Sequence, residues 1–280
     1  LFYALKSDHP VLPIFIFDKH ILDKLDDKAD RRVQFIHAAL EEMQLLLKKV
    51  GSSLEVFYTT PEEAFSVLLD KYDLEKVFTN HDYEPYAKER DAAIEKLLKE
   101  RGTSFHTFKD QVLLEKDEVL KDDGKPYTIF TPYSRKWKAV LTDFHLKPYA
   151  NKKYFKNFYR QSERKLLSLE EMGFIATKLS FPEKEWKGQI IRNYKEQRDI
   201  PSVQGTSRLS VHLRFGTISI RELAAEAGAL NETFLNELIW RDFYHMILWH
   251  FPKVVGHSFK PEYDKIKWRN NETEFEAWCN

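Results

Sequence analysis

Val11-Leu12-Pro13-Ile14-Phe15-Ile16-Phe17 is an apolar run broken only at Pro13, the pattern of a strand buried on both faces. The segments beyond it decide the fold class. Val33, Ile36, Leu40, Met43 and Leu47 recur at spacings of three and four, which predicts a helix over 29–50 that stops at Gly51. Leu54-Glu55-Val56-Phe57-Tyr58 predicts a second strand, and Pro61-Glu62-Glu63 opens a second helix with its proline at a tolerated first-turn position. Lys76-Val77-Phe78-Thr79-Asn80 predicts a third strand, 86–101 a charged helix, and 104–108 a fourth strand. Strands alternating with helices predict an α/β domain built on a doubly wound, Rossmann-like parallel sheet. Such sheets bind ligands beyond the carboxyl ends of their strands, here near Asp18 or Asn80.

Beyond about residue 110 the alternation stops. Asp122-Asp123-Gly124-Lys125-Pro126 is a turn, and 127–141, with Phe130-Thr131-Pro132-Tyr133, reads as a loop entering a helix. Lys147, Lys152, Lys153, Lys156, Arg160, Arg164 and Lys165 then interleave with Tyr149, Tyr154, Phe155, Phe158 and Tyr159. Basic and aromatic residues together suit a phosphate backbone; a solvated linker pinned down by its aromatics is the preferred reading.

From Trp186 onward the patterns are helical. Gly205-Thr206-Ser207 reads as a turn entering a helix that Gly216 stops. Hydroxyls and free N–H groups there, with Arg208, suit an anion; an ordinary N-cap is the alternative. A helix over 219–227 with Gly228 past its end precedes a last one starting near Asn231 or Thr233. In that last helix Glu237, Trp240, Arg241 and Tyr244 fall at i, i+3, i+4 and i+7 and share a face, while Leu235, Leu238, Ile239, Phe243 and Met246 are left for a core. Two readings stand: a binding face for a planar, hydrogen-bonding ligand, or a surface ion pair of Glu237 with Arg241 beside half-buried aromatics.

Composition narrows the classes. A hydrophobic share of 42% and an aromatic share of 14% supply an ample core for 280 residues. With 44 basic and 44 acidic residues there is no global basic field, so a nucleic-acid site has to come from local clustering. One cysteine, Cys279, excludes an internal disulfide and fits a reducing compartment, the cytoplasm or nucleus. No apolar run is long enough for a membrane span, and no zinc spacing, Gly-rich nucleotide loop or G-x-S-x-G elbow occurs. No metal is expected, and His245 and His250 read as helix-surface or core residues.

Two motifs carry a resemblance. Asn236-Glu237-Leu238-Ile239-Trp240-Arg241-Asp242-Phe243-Tyr244 resembles the substrate-side helix of DNA photolyases. Tyr194-Lys195-Glu196-Gln197-Arg198-Asp199 and Gly205-Thr206-Ser207-Arg208-Leu209-Ser210 resemble the flavin-binding segment of the photolyase and cryptochrome family. The likeness is closest to class I cyclobutane pyrimidine dimer photolyases. It implies a Rossmann-like amino-terminal domain (1–112), an interdomain connector (113–185) and the first part of an all-α FAD-binding domain (186–280). It further implies FAD as cofactor, contacted by Tyr194, Thr206, Ser207, Arg208, Leu209, Ser210, Phe234, Asn236 and Arg241. Glu237 and Trp240 would be catalytic. Those two, with Arg241 and Tyr244, would face a pyrimidine dimer in damaged DNA, repaired by a cytoplasmic monomer with no membrane partner. At Phe234 family members carry tryptophan, so an aromatic contact is kept and an indole N–H is lost.

Asn80-His81-Asp82-Tyr83-Glu84-Pro85-Tyr86-Ala87-Lys88-Glu89-Arg90-Asp91 also resembles the family's amino-terminal domain, where a second, antenna chromophore docks. The asparagine and glutamate that hold folate there correspond to Tyr86 and Ala87, so its identity stays unassigned. A plain strand end, acidic loop and helix start is the preferred reading of this segment. The family's opening Arg-Arg-Asp-Leu-Arg-type strand is not found before Leu1, and the tryptophan relay helices are not found before Asn280. The expectation is therefore a piece of a longer enzyme, inactive by itself. Two other functions stand beside repair: a cryptochrome-type blue-light receptor, against which the Glu237/Trp240 pair speaks, and a flavin-free nucleotide- or partner-binding module.

Overall fold

The computed structural model describes residues 1–178 and 180–279. Strand β1 (Ile14–Asp18) runs parallel to β2 (Glu55–Thr59), with Ile14 opposite Glu55 and Asp18 opposite Thr59. Strand β3 (Lys76–Asn80) runs parallel to β4 (Ser104–Phe108). Helices α1 (Arg31–Lys49), α2 (Pro61–Lys71) and α3 (Pro85–Glu100) make the crossovers. Their starts are written locally. The Asp30 side chain accepts from Arg32 N–H ahead of α1, and Thr60 with Glu63 forms a capping box ahead of α2. Strand β1 begins three residues later than the apolar run, because Pro13 has no N–H to give a ladder; its carbonyl still accepts from Glu55 N–H at 3.0 Å.

The parallel α/β arrangement expected from the alternation is present, its strands hydrogen-bonded as two parallel pairs. Strands β1 and β3 exchange no hydrogen bonds. Between them lies a cavity of about 800 Å³ lined by Ile14, Phe15 and Ile16 on one side and Val77, Phe78 and Thr79 on the other.

The basic and aromatic connector is pinned rather than free. Phe158 is buried, with Tyr154 and Phe155 packed beside it, in a cluster with Val33, Leu40 and Leu47 of α1. Arg160 Nη1 donates to the Val50 carbonyl at 2.6 Å, and Arg164 Nη1 to the Glu55 carboxylate at 3.3 Å. Two of the cations that suited a phosphate backbone therefore hold the linker to the α/β domain.

The helical part comprises α4 (Phe130–Val140), α5 (Ser210–Phe215), α6 (Ile220–Leu230) and α7 (Glu232–His250) around a core of Tyr133, Trp137, Leu223, Ala227, Ile239 and Phe243. Gly228 lies inside α6 rather than beyond it, because the helix runs on to Leu230 and stops only where Asn231 caps α7. The Asn231 side chain accepts from Thr233 N–H at 2.9 Å and Phe234 N–H at 3.3 Å.

Asp242 fixes α7 to the rest of the chain. Its side chain is fully buried, and Oδ2 accepts from Leu113 N–H and Leu114 N–H, each at 3.1 Å, and from Trp137 Nε1–H at 2.9 Å. One carboxylate thus ties the start of the connector and α4 to the helix that carries the candidate site.

Candidate functional site

The shared face of α7 is divided by its neighbours. Glu237 pairs with Arg198 Nη1, not with Arg241, so the expected i, i+4 surface pair is replaced by a contact between distant segments. The Arg198 guanidinium lies 5.6 Å from the centre of the Tyr194 ring. Tyr194 in turn meets Phe234 edge-on, with centroids 5.0 Å apart and planes at 80°. Tyr194, Phe234 and Glu237 are therefore brought together, along with Arg198, which sequence reasoning had not singled out. The available signal was its place four residues after Tyr194 in the same motif.

Trp240 stacks flat on Phe130 of α4, with centroids 3.6 Å apart and planes at 5°. The Tyr244 ring lies 5.5 Å away at 23° and is 62% exposed. Arg241 turns away from this aromatic group and donates to the carbonyls of Gln111 and Leu213. Burial holds its pKa below the usual guanidinium value. Arg241 and Tyr244 also line a pocket of about 450 Å³ with Ser210, Leu213, Arg214 and His245. Asn236 Oδ1 is buried and finds no hydrogen-bond partner among the described residues, a state that costs free energy until a donor arrives.

The second segment folds differently from its simplest reading. Helix α5 begins at Ser210 with Leu209 as its N-cap residue and no side-chain cap bond, so the hydroxyls of Thr206 and Ser207 do not serve it. Leu209 is buried in the helical core, Ser207 is half-buried, and Thr206, Arg208 and Ser210 are exposed. Arg208 takes a left-handed φ of 54°. Gly205 is required by close approach: a Cβ there would lie 2.6 Å from both the Gln197 carbonyl oxygen and its Cβ. Gly205→Ala should therefore cost roughly 1–3 kcal/mol by overpacking, read from urea midpoints; an unchanged midpoint would show that the loop shifts freely.

At the carboxyl ends of the strands, the Tyr86 hydroxyl donates to the Asp18 carboxylate, and Asn80 Nδ2 donates to Asp110 at 2.8 Å. Among the described residues there is no cluster of three or more metal-ligating side chains, and no helix is long and apolar enough to cross a membrane.

These features define a two-part protein: an α/β domain clasped to a helical domain whose longest helix presents carboxylate, indole and guanidinium groups. Residues 1–165 match the family DNA photolyase, and residues 234–280 the FAD binding domain of DNA photolyase. The chain belongs to the DNA photolyase family. The deoxyribodipyrimidine photo-lyase of Alkalihalophilus pseudofirmus is 31% identical over 260 residues, covering 85% of this chain and 53% of that relative. The enzyme of the same name from a Synechococcus species is 28% identical over 296 residues, covering 96% of this chain and 61% of the relative. Among solved structures, an archaeal photolyase from Sulfolobus tokodaii with two FAD molecules superposes with a TM-score of 0.77 at 28% identity, over 99% of this chain and 62% of that one. A cryptochrome from Synechocystis, at 15% identity and a TM-score of 0.76, shares the fold. The chain spans little more than half the length of the first of these relatives.

Proposed function

We propose that the full-length protein splits cyclobutane pyrimidine dimers in damaged DNA by light-driven electron transfer from reduced FAD. The observation that carries this reading is the placement of Glu237 and Trp240 on one helix, Glu237 tied through Arg198 to the Tyr194 ring and Trp240 in an aromatic stack, in a chain whose relatives are named deoxyribodipyrimidine photo-lyases. Bound FAD supplies the electron and takes it back, and the protein's work is holding and orientation.

The residues present fit such a cofactor. Thr206, Ser207, Arg208 and Ser210 offer hydroxyl and guanidinium donors suited to its phosphates. Tyr194 offers ring surface backed by the buried Leu209 and Phe234, and the unpartnered Asn236 Oδ1 awaits a donor. Arg241 borders the pocket that holds Ser210. On the substrate side Glu237 accepts from an imide N–H of the lesion and Trp240 stacks on it, with Tyr244 beside the indole and Arg241, held by the Gln111 and Leu213 carbonyls, lining the adjacent pocket. The reading includes a division into 1–112, 113–185 and 186–280 and a cytoplasmic monomer. A second, antenna chromophore would dock at the strand ends near Asp18 and Asn80.

Trp240→Ala tests this function. Extruding a damaged base costs a few kcal/mol, and an aromatic platform returns roughly 1–3 kcal/mol per stacked base. Phosphate contacts add equally to damaged and undamaged DNA. In the full-length protein Trp240→Ala should weaken binding to dimer-containing duplex about ten-fold, leave undamaged duplex nearly unchanged and keep FAD content, with salt held fixed. If both affinities fall together, or flavin is lost, Trp240 is a packing residue.

A further inference from the structure

We propose that Phe130 is a positioning residue of the lesion-binding face: it sets the plane of the Trp240 indole on which a planar guest stacks. This role rests on the substrate role proposed for Trp240, and it falls to a residue outside both site motifs.

Helix α4, which Phe130 opens, is held at several points. Trp137 is fully buried and donates to the buried Asp242, and Tyr133 is fully buried with its ring 5.1 Å from Phe243. Phe130 therefore projects from a fixed element. Its ring lies parallel to the indole at 3.6 Å, and buried Phe243 meets both rings edge-on, at 5.9 Å and 78° to Phe130 and at 5.6 Å and 79° to Trp240. Two parallel rings backed by a perpendicular third leave the indole little freedom at either of its side-chain torsions.

The remaining neighbour is different in kind. Tyr244 stacks on the indole at 23° and is 62% exposed, so it is the ring that a guest from solvent would have to displace. A guest ring thus replaces the exposed Tyr244 ring on a stack of Phe130 and Trp240 that the core holds in place. The chemistry that fits is a planar heterocycle, such as a splayed pyrimidine. Because the indole is already ordered, stacking does not have to freeze it, and losing that ordering is expected to cost about three- to ten-fold in affinity.

The test uses Phe130→Ala, Phe130→Leu and Phe130→Tyr in the full-length protein with two readouts. Acrylamide quenching of the Trp240 emission, isolated by difference against Trp240→Phe, should rise in the Ala and Leu variants and return to the wild-type value with Tyr. Affinity for dimer-containing duplex should fall about three- to ten-fold in Phe130→Ala and recover with Tyr, while undamaged duplex and FAD content stay constant. Unchanged quenching and lesion affinity overturn the inference. So does an equal loss for both duplexes with a lowered melting temperature, since that is a merely structural effect. A wild-type protein that does not distinguish the two duplexes overturns the substrate reading itself, and the quenching series then still decides whether Phe130 fixes the indole.

Discussion

Asp242→Ala is expected to lower the unfolding free energy by roughly 3 kcal/mol, a large loss for one substitution. The side chain is fully buried and satisfies three donors, Leu113 N–H, Leu114 N–H and Trp137 Nε1–H. Stranding a buried donor costs about 1–3 kcal/mol, so three cost at least about 3 and as much as 9. Removing the carboxylate also relieves its own burial, which pushes its pKa from the usual 3.8 up to about 6. That relief is worth at most about 3 kcal/mol at neutral pH, so the loss of acceptor wins. Urea midpoints at pH 7.5 measure it, and a change below about 0.5 kcal/mol would mean that water replaces the carboxylate.

The same shift fixes a pH dependence. Because the folded-state pKa is raised, the native protein holds the Asp242 proton more tightly than the unfolded chain does. The contribution is therefore fully present below about pH 4 and is lost as pH rises through about 6. Other carboxylates, such as Asp30, lie below their usual range because of hydrogen bonds, Asp30 chiefly to the Arg32 side chain, and act in the opposite sense. The quantity to compare is thus the stability difference between wild type and Asp242→Asn. It should shift against the wild type by up to about 3 kcal/mol between pH 4 and 6.5. A difference that is flat across that window would show that Asp242 keeps an ordinary pKa.

Arg208→Ala in the full-length protein should weaken FAD binding ten- to a hundred-fold, which corresponds to the roughly 1.5–3 kcal/mol of a hydrogen bond to a charged group. The side chain is exposed, and its left-handed φ of 54° is equally strained for arginine and alanine. The substitution therefore leaves the backbone cost unchanged, and the melting temperature should barely move. Since Thr206 and Ser207 do not cap α5, the segment's donors are not committed to that helix. A fluorescence titration with FAD measures the affinity. Unchanged affinity with lowered stability would make the segment a structural turn and remove its phosphate role.

The α/β domain was legible where the signal is local. Packing of both faces against apolar clusters matches the continuously apolar Ile14-Phe15-Ile16-Phe17, helical periodicity marks Val33 to Leu47, and capping chemistry marks Asp30 and Thr60. The motifs of the photolyase family were legible for the same reason, as contiguous residues at fixed spacing. Sequence by itself thus determined the alternation of elements and the family. Only the tertiary structure decided what those side chains touch. Helical spacing places Glu237 beside Arg241, yet its carboxylate goes to Arg198, 39 residues away, because Arg241 is committed to the Gln111 and Leu213 carbonyls. The buried role of Asp242 and the stack of Phe130 on Trp240 arise in the same way: each joins α7 to residues more than a hundred positions earlier, and no local periodicity encodes that pairing.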